Sequence, residues 1–75
     1  MQEMLLFMVR ALVDESDAVR VDEIEEDGDL VFEVTVAEDD LGRVIGRGGR
    51  VAKALRTVAR AASHDDRRVL VDILD

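Results

Sequence analysis

Gly46, Gly48 and Gly49 fall within four consecutive residues, with Arg43, Arg47 and Arg50 around them and Lys53 one helical turn further on. Glycine permits positive φ and lets a ligand approach the main chain closely. The residues that follow have helical character, and a helix N-terminus leaves backbone N–H groups unpaired and favours an anion. Phosphate is the ligand that suits these backbone donors, the helix dipole and the flanking cations together.

Other phosphate motifs fail on spacing. A dinucleotide fingerprint needs a third glycine after a further two residues and a preceding strand, whereas Gly46 to Val51 lacks that glycine and follows a helical stretch. A P-loop needs Gly-Lys followed by Ser or Thr, which does not occur. Enzymatic chemistry has no visible nucleophile paired with a base. There is no cysteine, and the one histidine, His64, is expected at the surface just past a helix end. Scattered carboxylates are no coordination set, so neither a metal nor a cofactor is expected. The run Glu23 to Asp29 reads as a solvated turn.

Six elements position the glycines. Glu3 to Val13 reads as a helix, with Met4, Met8 and Leu12 four apart, Leu5 and Val9 beside them, and Phe7 also assigned to the core. Val19, Val21 and Ile24 suggest a strand that closes in the acidic turn Glu25 to Asp29. Leu30 to Ala37 alternates clearly, with Leu30, Phe32, Val34 and Val36 expected to face inward, and pairs with it as a hairpin. Asp39 or Asp40 is expected to cap a short helix over Leu41 to Ile45. A second helix, rich in alanine, runs from Arg50 to Ala62. Its apolar face is read as Val51, Leu55, Val58 and Ala62, opposite Lys53, Arg56 and Arg60, of which Arg56 and Arg60 are taken as solvated charges. Val69, Val71 and Ile73 alternate as a last strand. The order α-β-β-α-α-β predicts an α+β fold, a three-stranded sheet with helices packed on one face, and residues 1–75 are expected to form a single domain.

The 75 residues allow one core, and a chain of this size buries only about 60% of its unfolded surface. A net charge of −8 argues, as a total, against nucleic acid, yet the charge is segregated. Residues 1–40 carry two basic side chains against fourteen acidic ones, while residues 41–60 carry six basic and no acidic ones. One positive stretch on an otherwise repelling molecule is compatible with binding a polyanion at one place. Met4 to Val9, the longest apolar run, is far short of the ~20 residues that span a membrane, so a cytoplasmic protein is expected.

Val44-Ile45-Gly46-Arg47-Gly48-Gly49 matches the hydrophobic-Ile-Gly-x-x-Gly signature of KH domains, and the element order resembles their type II topology. Gly42 to Thr57 resembles more narrowly the corresponding run of small stand-alone bacterial KH proteins, the KhpA or YlqC family. The resemblance implies binding of single-stranded RNA, with Gly46, Arg47, Gly48 and Gly49 as a backbone clamp and a groove for about four nucleotides. Arg43, Arg50 and Lys53 would add charge, and Val44 and Ile45 would line the groove. It places Glu25 to Asp29 across that groove as a variable loop. It also implies a larger KhpB-like KH partner and self-association into a homodimer. Two readings stand beside RNA binding: a DNA-binding helix-turn-helix, whose docking angle three glycines would loosen, and a protein-interaction module with weak RNA affinity.

Overall fold

The computed structural model describes residues 1–63 and 67–74. Helix α1 (Gln2–Leu12) leads into strands β1 (Arg20–Glu26) and β2 (Asp29–Thr35), then the short α2 (Leu41–Ile45), α3 (Arg50–Ala62) and β3 (Val69–Ile73). The α+β order α-β-β-α-α-β is thus the one the sequence predicts. His64 lies outside the described residues.

Asp27 and Gly28 make the two-residue turn between β1 and β2, with φ of 53° and 85°. Two consecutive positive φ values give a turn whose twist suits a hairpin, and Asp-Gly is a favoured pair for it. The turn pins an antiparallel register in which Val21 faces Val34 and Glu23 faces Phe32. β3 joins the other side of β2 in parallel, Phe32 opposite Val71 and Val34 opposite Ile73. A parallel neighbour requires a crossover connection, and α2 and α3 supply it.

The inner face of the sheet carries Val21, Phe32, Val34, Val69 and Val71, which meet Leu5 and Val9 of α1, Val44 of α2, and Leu55 and Ala59 of α3. Phe32 is the largest fully buried side chain. The opposite face sets Asp22, Glu33 and Asp72 in one row and Ile24, Val31 and Leu70 in the next. Both outer edges are partly covered by side chains. The Gln2 amide donates to the Val21 carbonyl on one, and Arg56 Nε donates to the Val71 carbonyl on the other at 3.4 Å.

Three expected placements are overturned. Phe7 is 77% exposed on the solvent side of α1, while Leu5 and Val9 form its core face, Met4 and Met8 are half-buried, and Leu12 is exposed. Met4 to Val9 is apolar without interruption, so periodicity does not single out the buried side of that helix. In α3 the buried residues are Ala52, Leu55 and Ala59, and Val58 is exposed. Small alanines let the helix sit close to the sheet, which leaves the bulkier valine on the flank. Asp40, finally, makes no side-chain cap on α2. Its carboxylate instead accepts the backbone N–H groups of Asp14 at 3.2 Å and Glu15 at 2.9 Å, fastening the end of α1 to the start of α2.

Candidate nucleic-acid interface

α2 is only five residues long, and its end is set by Gly46, whose N–H donates to the Gly42 carbonyl at 2.8 Å. Gly46 adopts φ 76° and ψ 169°, a region that essentially only glycine occupies. A Cβ there would also fall 2.5 Å from Val51 Cγ2 and 2.9 Å from the Val51 nitrogen. Gly46 is therefore required both by conformation and by the close return of the chain into α3. Arg47–Gly49 form a single tight turn, closed by Gly49 N–H to the Gly46 carbonyl at 3.1 Å. Gly48 and Gly49 take left-handed φ of 64° and 77°, and a Cβ on either would meet nothing within 4 Å. Their surroundings are open.

No side chain caps the N-terminus of α3, so its first turn faces this turn of glycines directly. Arg47, Arg50 and Lys53 are exposed around it, and among the described residues none of them joins an ion pair. Ile45, 38% exposed, supplies the one large apolar side chain of α2 beside the loop that reaches solvent. Together these residues make a corner whose chemistry suits an anion: a helix dipole and exposed cations around a surface without side-chain obstruction.

Two of the expected site residues do not join them. Val44 is completely buried, because neighbouring side chains on a helix diverge by about 100° and only one of Val44 and Ile45 can face out. Arg43 Nη1 lies 3.0 Å from Asp14 Oδ1, in an exposed ion pair with the residue that follows the end of α1. Asp40, beneath that pair, is 2% exposed, and its carboxyl is held below the usual carboxylate range by the N–H groups of Glu15 and Asp14, with Arg43 adding to the effect against the opposing cost of burial. The sequence contains no signal for this clip, since its partners are 25 and 26 residues away.

The acidic turn is also far from the glycines. Arg60 and Ser63 of the α3 end line one notch with Arg67, Arg68 and Val69, so α3 runs antiparallel to β3. The Leu30 N–H meets the Arg68 carbonyl at this same end, and Arg67 Nη1 lies 2.6 Å from Glu25 Oε1. Because β2 and β3 are parallel and α3 returns between them, Asp27 and Gly28 lie at one end of α3 and Gly46 to Gly49 at the other. The expectation that the acidic turn stands across from the clamp is corrected accordingly.

Among the described residues, no group of three or more His, Cys, Asp or Glu side chains is arranged to hold a metal ion, and no helix is long and apolar enough to cross a membrane. The family model of the KhpA/KhpB KH domain matches residues 2–73. The chain belongs to the KhpA/KhpB KH-domain family. It is not an enzyme family. The chain is 43% identical over 75 residues to the RNA-binding protein KhpA of Caldanaerobacter subterraneus, covering 99% of this chain and all of that one. It is 42% identical over 74 residues to the RNA-binding protein KhpA of Borreliella burgdorferi, covering 97% and 90%. The protein of that name from Listeria monocytogenes is 38% identical over 76 residues, with full coverage of both chains. No solved structure matches the chain significantly.

Proposed function

We propose that this chain acts as one type II KH domain that holds single-stranded RNA at Gly46 to Gly49, as a cytoplasmic post-transcriptional regulator or RNA chaperone. The observation that carries the reading is the open loop, in which Gly48 and Gly49 have left-handed backbones and no neighbour at a Cβ position, set against an uncapped helix end. In this reading Arg47, Arg50 and Lys53 neutralise phosphates, and Ile45 packs against a base. Family membership supports it, as do the relatives named RNA-binding proteins.

Changing Arg47 and Gly48 together to aspartate tests it. Two carboxylates would stand where phosphates pass, while the exposed loop leaves the core intact. RNA affinity is expected to fall roughly tenfold or more, with a shallower salt slope at ≈0.7 per lost contact on a single strand. A folded double variant that binds like the parent, with the same slope, refutes the reading.

A second reading, a module that acts mainly by pairing with another KH protein of the KhpB kind or with a second copy, is favoured by Phe7. A phenylalanine 77% exposed beside half-buried Met4 and Met8 suits a protein surface. Under this reading Phe7→Asp abolishes association in sedimentation experiments, whereas the double-aspartate loop variant still associates.

A further inference from the structure

β1 is an edge strand, and part of its free side is open. The Leu30 N–H meets the Arg68 carbonyl and the Val34 carbonyl accepts the Leu74 N–H, so these two β2 residues turn their main-chain groups toward β3. Main-chain groups alternate sides along a strand, which turns those of Val31 and Glu33 toward Ile24 and Asp22 of β1. Val21, Glu23 and Glu25 therefore point off the sheet. The Gln2 side chain closes that edge at the Val21 carbonyl. Among the described residues, no hydrogen bond reaches the outward main chain of Glu23 or Glu25.

An open edge is a template for another strand, and proteins blunt it with charge, lysine above all. β1 carries carboxylates instead: Asp22, Glu23, Glu25 and Glu26 are all exposed. Glu25 pairs with Arg67, and among the described residues no ion pair reaches the other three. On the face away from the helices the acids continue across the sheet, Asp22 opposite Glu33 and Glu33 opposite Asp72. Like charges directly opposite one another destabilise a sheet. Beside this row runs an apolar one, Leu70, Val31 and Ile24, which ends at the open edge in a half-buried Ile24.

The charge of the edge selects its occupant. A second copy pairing β1 with β1 would set carboxylate against carboxylate, and a nucleic acid would bring phosphates to them. A cationic extended segment answers both the unpaired main chain and the unpaired charge. We propose that β1 takes up such a segment of a protein partner as a fourth, antiparallel strand of the sheet. Lys or Arg then stands opposite Asp22, Glu23 and Glu26, and an aliphatic residue opposite Ile24 lengthens the apolar row. The position opposite Glu25 needs no cation, because Arg67 already meets that carboxylate. Main-chain hydrogen bonds hold the added strand, and its side chains select it.

The capped peptide Lys-Thr-Val-Lys-Lys carries this pattern when laid antiparallel along Glu26 to Asp22. Titrated into the isotope-labelled chain at low salt, it is expected to shift the amide signals of Glu23 and Glu25 and slow their exchange with solvent, leaving Gly46 to Gly49 unchanged. N-methylation of its second and fourth residues removes the donors opposite Glu25 and Glu23 but keeps every charge, and should abolish binding. Asp22→Asn with Glu23→Gln and Glu26→Gln should weaken the unmethylated peptide roughly tenfold, three cross-strand ion pairs being lost. No binding by the parent, equal binding of the methylated peptide, or shifts confined to the other acidic surface at Asp14, Glu38 and Asp39 overturns the proposal. Protection of the Glu23 and Glu25 amides without peptide, growing with protein concentration, would put a second copy on the edge and overturn it too. The double-aspartate loop variant should bind the peptide like the parent, whatever becomes of its RNA affinity; loss of the peptide there would move the contact to the loop and sink the edge assignment.

Discussion

Gly46 and Gly48 both have positive φ, and the chain asks different things of each. At Gly46 the backbone lies in a glycine-only region, and a Cβ would strike the side chain and nitrogen of Val51. At Gly48 the backbone is left-handed but the space is open. Gly48→Ala is therefore expected to cost about 1–2 kcal/mol, the usual penalty of a left-handed L-residue. Gly46→Ala adds the displacement of α3 and should lower the melting temperature further, and calorimetry on the two variants checks the order. Asp40 is the other residue whose environment decides its role. Its folded pKa is depressed, chiefly by the Glu15 and Asp14 N–H groups, so the stability it contributes is complete above the unfolded value of about 3.9 and is lost as pH falls through the lower folded value. Asp40→Asn lacks that contribution. Denaturant titrations of both proteins are expected to differ at neutral pH and to converge below about pH 4; a constant gap across the acid range would refute the clip.

The hairpin and α1 bury their aromatics differently. Phe32 belongs to a strand whose alternate residues face the helices, and none of its surface is exposed. Phe7 stands on the outer side of α1, over solvent. Phe32→Ala is expected to cost about 3–5 kcal/mol, a large share of the stability of a small domain. Phe7→Ala should stay within about 0.5 kcal/mol, as for most surface changes. Equal shifts in chemical denaturation would contradict the assignment of the faces. Alternation made the first placement legible in the sequence, because a period of two leaves β2 only one apolar side of any size. The uninterrupted apolar run of α1 offered several sides, and packing against β1 selected Leu5 and Val9.

Over the whole molecule, charge is sorted along α3. The glycine loop and its cations occupy one end, and Glu25, Glu26, Asp27 and Asp29 gather at the other, where Glu25 meets Arg67. Thirteen helical residues separate the two ends by about 20 Å. Changing Glu25, Glu26 and Asp27 to their amides is expected to tighten RNA binding at about 0.01 M salt, where the Debye length is about 30 Å. At about 0.15 M, where it is about 8 Å, the same change should have little effect on a strand confined to the loop. Tightening that persists at the higher salt would bring the bound strand down α3 to the turn. The ion pair lost with Glu25 is exposed and contributes little to stability.

The local features of this protein were determined by its sequence. Glycines at 46, 48 and 49, the alternation of β2 and the alanine-rich α3 each act over a few residues and appear where their patterns predict them, while the turn expected over Glu25 to Asp29 narrows to Asp27 and Gly28 because the strands pair up to Glu26 and Asp29. The glycine turn with its helix end and cations was legible for the same reason, since these parts are consecutive in the chain. What only the tertiary structure decided involves partners distant in sequence. Asp40 became a clip rather than a cap because Asp14 and Glu15 arrive 26 and 25 residues before it, and that same meeting set Arg43 beside Asp14 as an ion pair. Val44 was taken into the core, Phe7 was left outside it, and the acidic turn was carried to the far end of α3 by the parallel pairing of β2 with β3. Periodicity specifies that an element has faces; burial against the other elements decides which face is inside, because the free energy of removing apolar surface from water belongs to the assembled contact and not to either segment alone.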